Sequence, residues 1–255
     1  MEINNRVALI TGGASGLGGA TAERLVSQGA KVCIADVSVE NGKAMAEKLG
    51  DAAVFAHCDV TVTDQVTAAV EQTVTELGGL DILVNCAGVG MAMRTVGRTG
   101  MHDLDVFKWV VNINLIGTFD FIRHAAARMV ENEPDEDGGR GVIINTSSVA
   151  AFDGQIGQAA YSASKAGVVG MTLTIARDMS SRGVRVCTIC PGIFDTPLLA
   201  ALPEPVRQSL AASMPFPKRL GKPEEFAMLA EQIIRNPFLN GETIRLDAAI
   251  RMAPK

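Results

Sequence analysis

Apolar and polar positions along the chain fall into two alternating periods. Short apolar runs at Arg6–Thr11, Lys31–Asp36, Ala53–His57, Asp81–Val84, Val142–Thr146, Val184–Cys190 and Glu242–Leu246 have strand length and end in turn-forming residues. Between them, Ala20–Gln28, Val39–Leu49, Thr63–Leu77, Asp105–Val130, residues 159–181 and Pro223–Arg235 read as helices. Strand and helix alternating over short connections predict an α/β, doubly wound parallel sheet of about seven strands, covered on both faces. No linker or longer repeat breaks the alternation, so residues 1–255 are expected to form a single domain. Gly90–Asp103 and the acidic Glu131–Gly141 read as surface loops, and the latter is expected to bind no metal. Asp195–Ser213, apolar at Leu198, Leu199, Leu202 and Leu210, is expected to cover a pocket.

Ligands of such sheets gather at the carboxyl ends of the strands. Thr11, Asp36, Asp59 and Asn85 fall there, as do Ser147, Ser148, Pro191 and Gly192. The first strand runs into Thr11-Gly-Gly-Ala-Ser-Gly-Leu-Gly18 and then a helix. Gly12, Gly16 and Gly18 lack the Cβ atoms that would block a tight turn and the approach of a pyrophosphate to helix N–H groups. Asp36 follows Gly18 at the offset where a carboxylate accepts hydrogen bonds from the adenosine ribose. The same carboxylate repels a 2′-phosphate, and neither Val37 nor Ser15 supplies a cation, which favours NAD over NADP.

Composition narrows the partners. With 47% apolar residues and a net charge of −5 over 255 residues, the chain can bury a large core but presents no basic stripe for nucleic acid. No apolar run is long enough to span a bilayer, and the amino terminus shows no secretory signal. The expectation is a cytoplasmic protein acting on a small molecule, the mitochondrial matrix being an alternative in a eukaryote. Cys33, Cys58, Cys86, Cys187 and Cys190 are expected to be free; Cys187 and Cys190, three apart on a strand, point to opposite faces.

Tyr161, the only tyrosine, and Lys165 stand on one face of a helix, among the small residues Ala159, Ala160, Ser162, Ala163 and Ser164. An ammonium beside a phenol favours the phenolate and lowers its pKa, giving a pair that can exchange a proton with an alcohol oxygen.

With these residues placed, the chain resembles the classical short-chain dehydrogenase/reductase family over essentially its whole length. The motifs are TGGASGLG at 11–18, Asp36, Asp59-Val60, NCAG at 85–88, Asn114, Ser148, Tyr161-Ser-Ala-Ser-Lys165 and Pro191-Gly192. The resemblance implies Tyr161 as catalytic acid/base and Lys165 as the group that lowers its pKa and binds the nicotinamide ribose. It implies Ser148 on the substrate oxygen, with Ser147 the lesser candidate, and Asn114 supporting a proton-relay water. Implied NAD contacts are Ser15, Leu17, Asp36, Asp59, Val60, Cys86, Tyr161, Lys165 and Phe194, with Ala87, Gly88, Pro191, Gly192 and Thr196 beside them. Gln155 and Gln158 join Ser148 as expected substrate contacts. Two positions depart from the pattern: Cys86 replaces the commoner Asn, and Ala248 stands where Gly occurs in similar chains.

The loop at 90–103, the stretch 141–173 and the carboxyl-terminal segment resemble family members that oxidise (S)-3-hydroxyacyl-CoA with NAD, accept steroid alcohols and form homotetramers. Arg94, Arg98, Lys218 and Arg219 are available for the phosphates of an acyl-CoA. A 17β-hydroxysteroid dehydrogenase and a non-catalytic scaffold with an NAD fold stand as alternatives.

Overall fold

The structure, a computed structural model, describes residues 1–98, 100–200 and 203–254. Thr99 in the 90–103 loop and Leu202 of the expected cover lie outside the described residues, as does the side chain of Leu198. In chain order the elements begin with β1 (Val7–Thr11), α1 (Gly16–Ser27), β2 (Lys31–Asp36), α2 (Val39–Leu49), β3 (Ala53–His57), α3 (Thr63–Leu77) and β4 (Ile82–Asn85). A two-stranded ribbon, β5 (Val96–Gly97) and β6 (Gly100–Met101), precedes α4 (Leu104–Val111), α5 (Thr118–Met129) and β7 (Gly141–Thr146). Then follow α6 (Ala159–Asp178), β8 (Val184–Pro191), α7 (Pro197–Ala200), α8 (Glu204–Ala212), α9 (Pro223–Arg235) and β9 (Thr243–Leu246).

Seven parallel strands form one sheet in the order β3-β2-β1-β4-β7-β8-β9. The order reverses at β1, which pairs with both β2 and β4, so the crevice between their carboxyl ends is the topological switch point where ligands bind.

Register explains why the strands read as unbroken apolar runs. Leu9 pairs with Cys33 and Leu83, Leu83 with Ile143, and Ile143 with Val186, and all five face α3, α5 and α6 in one core. One residue along, Ile10, Ile34, Val84, Ile144 and Cys187 form the matching row against α1 and α9. The inner strands β2, β1, β4, β7 and β8 are buried on both faces, whereas the edge strands β3 and β9 are half-buried; each wholly buried Leu, Ile or Phe contributes roughly 1.5–3 kcal/mol. The five cysteines are unpaired, and Cys187 and Cys190 are both fully buried in β8. Burial pushes both of these thiols up, and it raises Cys58 to about 12.

Three elements differ from the expectation. The helix expected without interruption over Asp105–Val130 is α4 and α5 joined by a π-helical turn, Asn112–Gly117. There Gly117 backs onto Val60, where a Cβ would stand 2.8 Å from the Val60 carbonyl oxygen. The 90–103 loop contains the β5–β6 ribbon, and α1 starts at Gly16 rather than at residue 20.

Candidate active site

Three backbone devices shape the crevice floor. Gly12 adopts φ +63°, and a Cβ on it would stand 2.8 Å from the Ala87 amide; a Cβ on Gly18 would stand 2.3 Å from the Gly12 carbonyl oxygen. The glycine loop is thus folded against itself and against the end of β4, with α1 aiming its first N–H groups outward from Ser15, whose side chain caps nothing. Thr11 fastens the loop to its neighbour: its Oγ1 accepts from the amides of both Cys86 and Ala87 at 3.1 Å.

Asp36 ends β2 half-buried. One carboxylate oxygen accepts from the Ala14 amide at 3.1 Å and the other from the Ser38 amide at 2.9 Å, leaving further lone pairs toward the crevice. No cation pairs with it among the described residues. Asp59 holds the next turn by accepting from the Thr61 amide and hydroxyl, and its neighbour Val60 packs on Gly117.

On the other side of the switch point four expected catalytic residues converge. Lys165 is 5% exposed and donates from Nζ to the Thr146 carbonyl at 2.9 Å, while lying 5.9 Å from the centroid of the Tyr161 ring. Burial lowers the amine to about 8. Gly88 sits against this group: a Cβ there would stand 3.1 Å from Asn114 Oδ1 and 3.4 Å from Lys165 Nζ. Asn114, fully buried in the π-helical turn, accepts from the Val89 amide at 2.8 Å and donates to the Val89 carbonyl at 2.9 Å and Ser164 Oγ at 3.1 Å. Its side chain is therefore fixed in both directions and is committed to protein partners.

The two serines separate by their bonds. Ser147 Oγ donates to the Lys165 carbonyl at 2.7 Å and braces α6. Ser148 Oγ accepts from the Ala150 amide at 3.1 Å, so its own proton is left to donate elsewhere, and it lies against the Tyr161 phenol.

The lowered phenol expected from Lys165 is not what the structure has. Burial pushes the Tyr161 hydroxyl up, and the opposing influence comes from Ser148. The reason is geometric: the amine is turned to the Thr146 carbonyl and is itself short of solvation.

Cys86, where Asn is commoner, accepts from Thr146 Oγ1 at 3.4 Å, and burial raises its thiol to about 11, so it is a neutral packing group. Beyond β8, the Gly192 amide donates to the Leu246 carbonyl at 2.9 Å and the Phe194 ring packs on Gly221. Thr196 brings its side chain opposite Gly16, 3.6 Å from where a Cβ would be. The expected cofactor residues thus fall at the carboxyl ends of the sheet strands and in the turns that follow them.

The substrate residues divide. Gln158 sits at the start of α6 and accepts from the Gln155 amide at 3.0 Å, whereas Gln155 Nε2 is engaged by the Ala253 carbonyl at 3.0 Å. Among the rim cations, Arg219 is committed to a two-pronged ion pair with Glu225 at 2.7 and 2.9 Å, which depresses that carboxyl to about 2. Arg94, Arg98 and Lys218 are exposed and unpaired among the described residues. A cavity of about 420 Å³ on the far side of Gly16, lined by Glu23, Arg24, Met45 and Glu224, holds none of the catalytic groups. Sequence reasoning missed Thr146 and Ser164, which hold Lys165 and Asn114; their places at a strand end and within the Tyr161–Lys165 motif were the available signal.

The family model described as short chain dehydrogenase matches residues 6–207. The chain is 58% identical over 254 residues to "3-hydroxyacyl-CoA dehydrogenase type-2" of Drosophila melanogaster, covering 99% of this chain and 100% of that one. It is 56% identical to the Homo sapiens protein of the same description, covering 99% and 98%. A crystal structure of 3-hydroxyacyl-CoA dehydrogenase type-2 from Mycobacterium avium superposes with a TM-score of 0.95 at 45% identity, covering 98% of each chain. A 3-ketoacyl-(acyl-carrier-protein) reductase from Brucella melitensis, complexed with NADH, superposes with a TM-score of 0.87 at 29% identity, covering 98% and 100%. The chain therefore belongs to the short-chain dehydrogenase family.

Proposed function

We propose that the chain is an NAD-dependent oxidoreductase interconverting (S)-3-hydroxyacyl-CoA and 3-oxoacyl-CoA. The observation that carries the reading is the convergence of Ser148, Tyr161 and Lys165 beside Gly88, across the crevice from the glycine loop and Asp36. Similarity over the full length to proteins described as 3-hydroxyacyl-CoA dehydrogenases supports the substrate class.

The glycine loop and the first turn of α1 fit a pyrophosphate, and Asp36, with no cation paired to it among the described residues, fits an unphosphorylated ribose. Bound there, NAD supplies the hydride acceptor. Ser148 donates its free proton to the substrate oxygen and orients it toward the phenol. Tyr161 removes the hydroxyl proton during oxidation and returns it during reduction. Because burial keeps the phenol protonated past its ordinary range, oxidation accelerates as pH rises and reduction is favoured toward neutrality. Lys165, near 8, passes a proton onward from beside the phenol, and Asn114 keeps the Val89 segment and Ser164 fixed around it. Arg94, Arg98 and Lys218, exposed and unpaired among the described residues, are available for the nucleotide phosphates of CoA.

We extend the proposal to a homotetramer acting inside cells. Support for self-association is the apolar surface that α4, the π-helical turn and α5 leave exposed at Trp109, Ile116 and Phe119. Unpaired cysteines support a reducing setting, and among the described residues no helix is long and apolar enough to cross a membrane.

The test is NADH oxidation followed by absorbance with acetoacetyl-CoA, beside estradiol oxidation with NAD⁺ in the same preparation. Turnover of the thioester with the larger kcat/KM supports the reading. A higher kcat/KM for estradiol moves the assignment to a hydroxysteroid dehydrogenase, and a flat trace with NADH still bound leaves a scaffold.

A further inference from the structure

Ser148 and Tyr161 are joined by a short helical turn, Val149–Ala151, and by the irregular stretch Phe152–Gln158. Besides local turn bonds and the Met93 amide, which donates to the Gly157 carbonyl at 2.8 Å, that stretch is held by the carboxyl-terminal tail. Arg245, in β9, donates from Nη2 to Asp153 Oδ2 at 2.6 Å and lies over the Phe152 ring, 5.3 Å from its centroid. The same guanidinium donates from Nε to Asp247 Oδ2 at 2.7 Å and from Nη2 to the Ile250 carbonyl at 3.0 Å. Farther along, the Ile156 amide and Gln155 Nε2 donate to the carbonyls of Pro254 and Ala253, each at 3.0 Å. Arg245, Asp153 and Asp247 are shielded, with side chains 20%, 19% and 8% exposed, and Arg245 holds the Asp153 carboxyl below its ordinary range. A guanidinium bonded to two carboxylates and a carbonyl is a directed joint, unlike a mobile surface pair.

We propose that Arg245 is a positioning residue: by tying Asp153 to the tail it sets the spacing of Ser148 and Tyr161, and so governs catalytic rate and leaves cofactor affinity alone. The inference rests on the assignment of Ser148 and Tyr161 to the reacting atoms. The glycine loop and Asp36, at the β1–β2 side of the sheet, receive none of these bonds among the described residues, whereas Asp247 backs directly onto Gly192 and is left unaltered in the test.

The experiment compares Arg245→Gln, Asp153→Asn, Asp153→Glu and the Arg245→Gln/Asp153→Asn double variant with the unsubstituted chain. It measures NADH affinity by fluorescence, kcat and KM with acetoacetyl-CoA, and amide hydrogen exchange over residues 154–162. Arg245→Gln and Asp153→Asn should each lower kcat about tenfold to a hundredfold. NADH affinity should stay within about twofold. The double variant should be no worse than the poorer single one, because both break one joint. Asp153→Glu, keeping the charge, should recover most of the rate, and exchange at Ile156 and Ser162 should rise about tenfold in the two broken variants. Unchanged kcat, an equal loss of NADH affinity, or additive single effects overturns the proposal. Asp153→Asn, at the edge of the fold, serves alone if Arg245→Gln does not fold. Absence of turnover in the unsubstituted chain refutes the substrate reading only; the joint is then judged on exchange, and unchanged protection at Ile156 and Ser162 refutes it.

Discussion

Replacing Lys165 by Met should make the protein more stable while abolishing its chemistry. The amine is buried, and among the described residues its one hydrogen bond is to the Thr146 carbonyl. Burial lowers it from 10.5 to about 8, so the charged form is disfavoured in the folded chain by on the order of 3 kcal/mol. For a base lowered in this way the cost is fully present below pH 8, shrinks as pH rises from 8 to 10.5, and vanishes above. Met fills similar volume without a charge but leaves the Thr146 carbonyl without its donor, which returns about 1 kcal/mol of the gain. The net expectation at pH 7 is about 2 kcal/mol of added stability, or roughly 4–8 °C in Tm for a chain of this size. Thermal unfolding of both proteins, without nucleotide and at equal concentration, from pH 7 to 10.5 checks this. The gap should narrow steadily above pH 8, and turnover in the variant should fall about 10²-fold or more. A variant less stable than the unsubstituted chain at pH 7, or a gap independent of pH, refutes the reasoning that a buried, poorly solvated cation is maintained here for chemistry.

Three further outcomes follow from the geometry. Gly18→Ala places a methyl 2.3 Å from the Gly12 carbonyl oxygen, a backbone atom that cannot yield without opening the loop; NADH should bind about tenfold to a hundredfold more weakly by fluorescence titration. Ser148→Ala should lower kcat about 10²-fold with little change in Tm, whereas Ser147→Ala, which loses the brace to the Lys165 carbonyl, should cost about 1 kcal/mol of stability and little rate. Ala248 and Ala249 hold φ values of +50° and +62°, a region that glycine occupies freely, so Ala248→Gly should raise Tm by roughly 2–4 °C in differential scanning calorimetry.

The sheet was legible because its inner strands are buried on both faces and its strands begin and end where their apolar runs do, as KVCIAD at 31–36 and the half-buried edge strand AVFAH at 53–57 show. The site residues were legible because they lie at strand ends or at helical spacing, as Asp36 and the Tyr161–Lys165 pair do. What could not be read depends on contacts remote in sequence. The π-helical turn is tied to Val60 packing on Gly117, and nothing within Asp105–Val130 signals it. The raised phenol and lowered amine come from burial, which spacing along one helix cannot supply. Gln155 is expected as a substrate contact from the resemblance alone, and its amide reaches Ala253, nearly a hundred positions on. Arg219 reads as a free rim cation, and Glu225 occupies it.

The central claim is that one phenol handles the proton while the nucleotide crevice is built independently of it. Tyr161→Phe tests it most directly, by stopped-flow or steady-state NADH oxidation with acetoacetyl-CoA alongside NADH fluorescence titration. The account predicts kcat lower by about 10²–10⁴-fold with NADH affinity within about threefold of the unsubstituted protein. Near-normal turnover, or loss of NADH binding in step with activity, contradicts it.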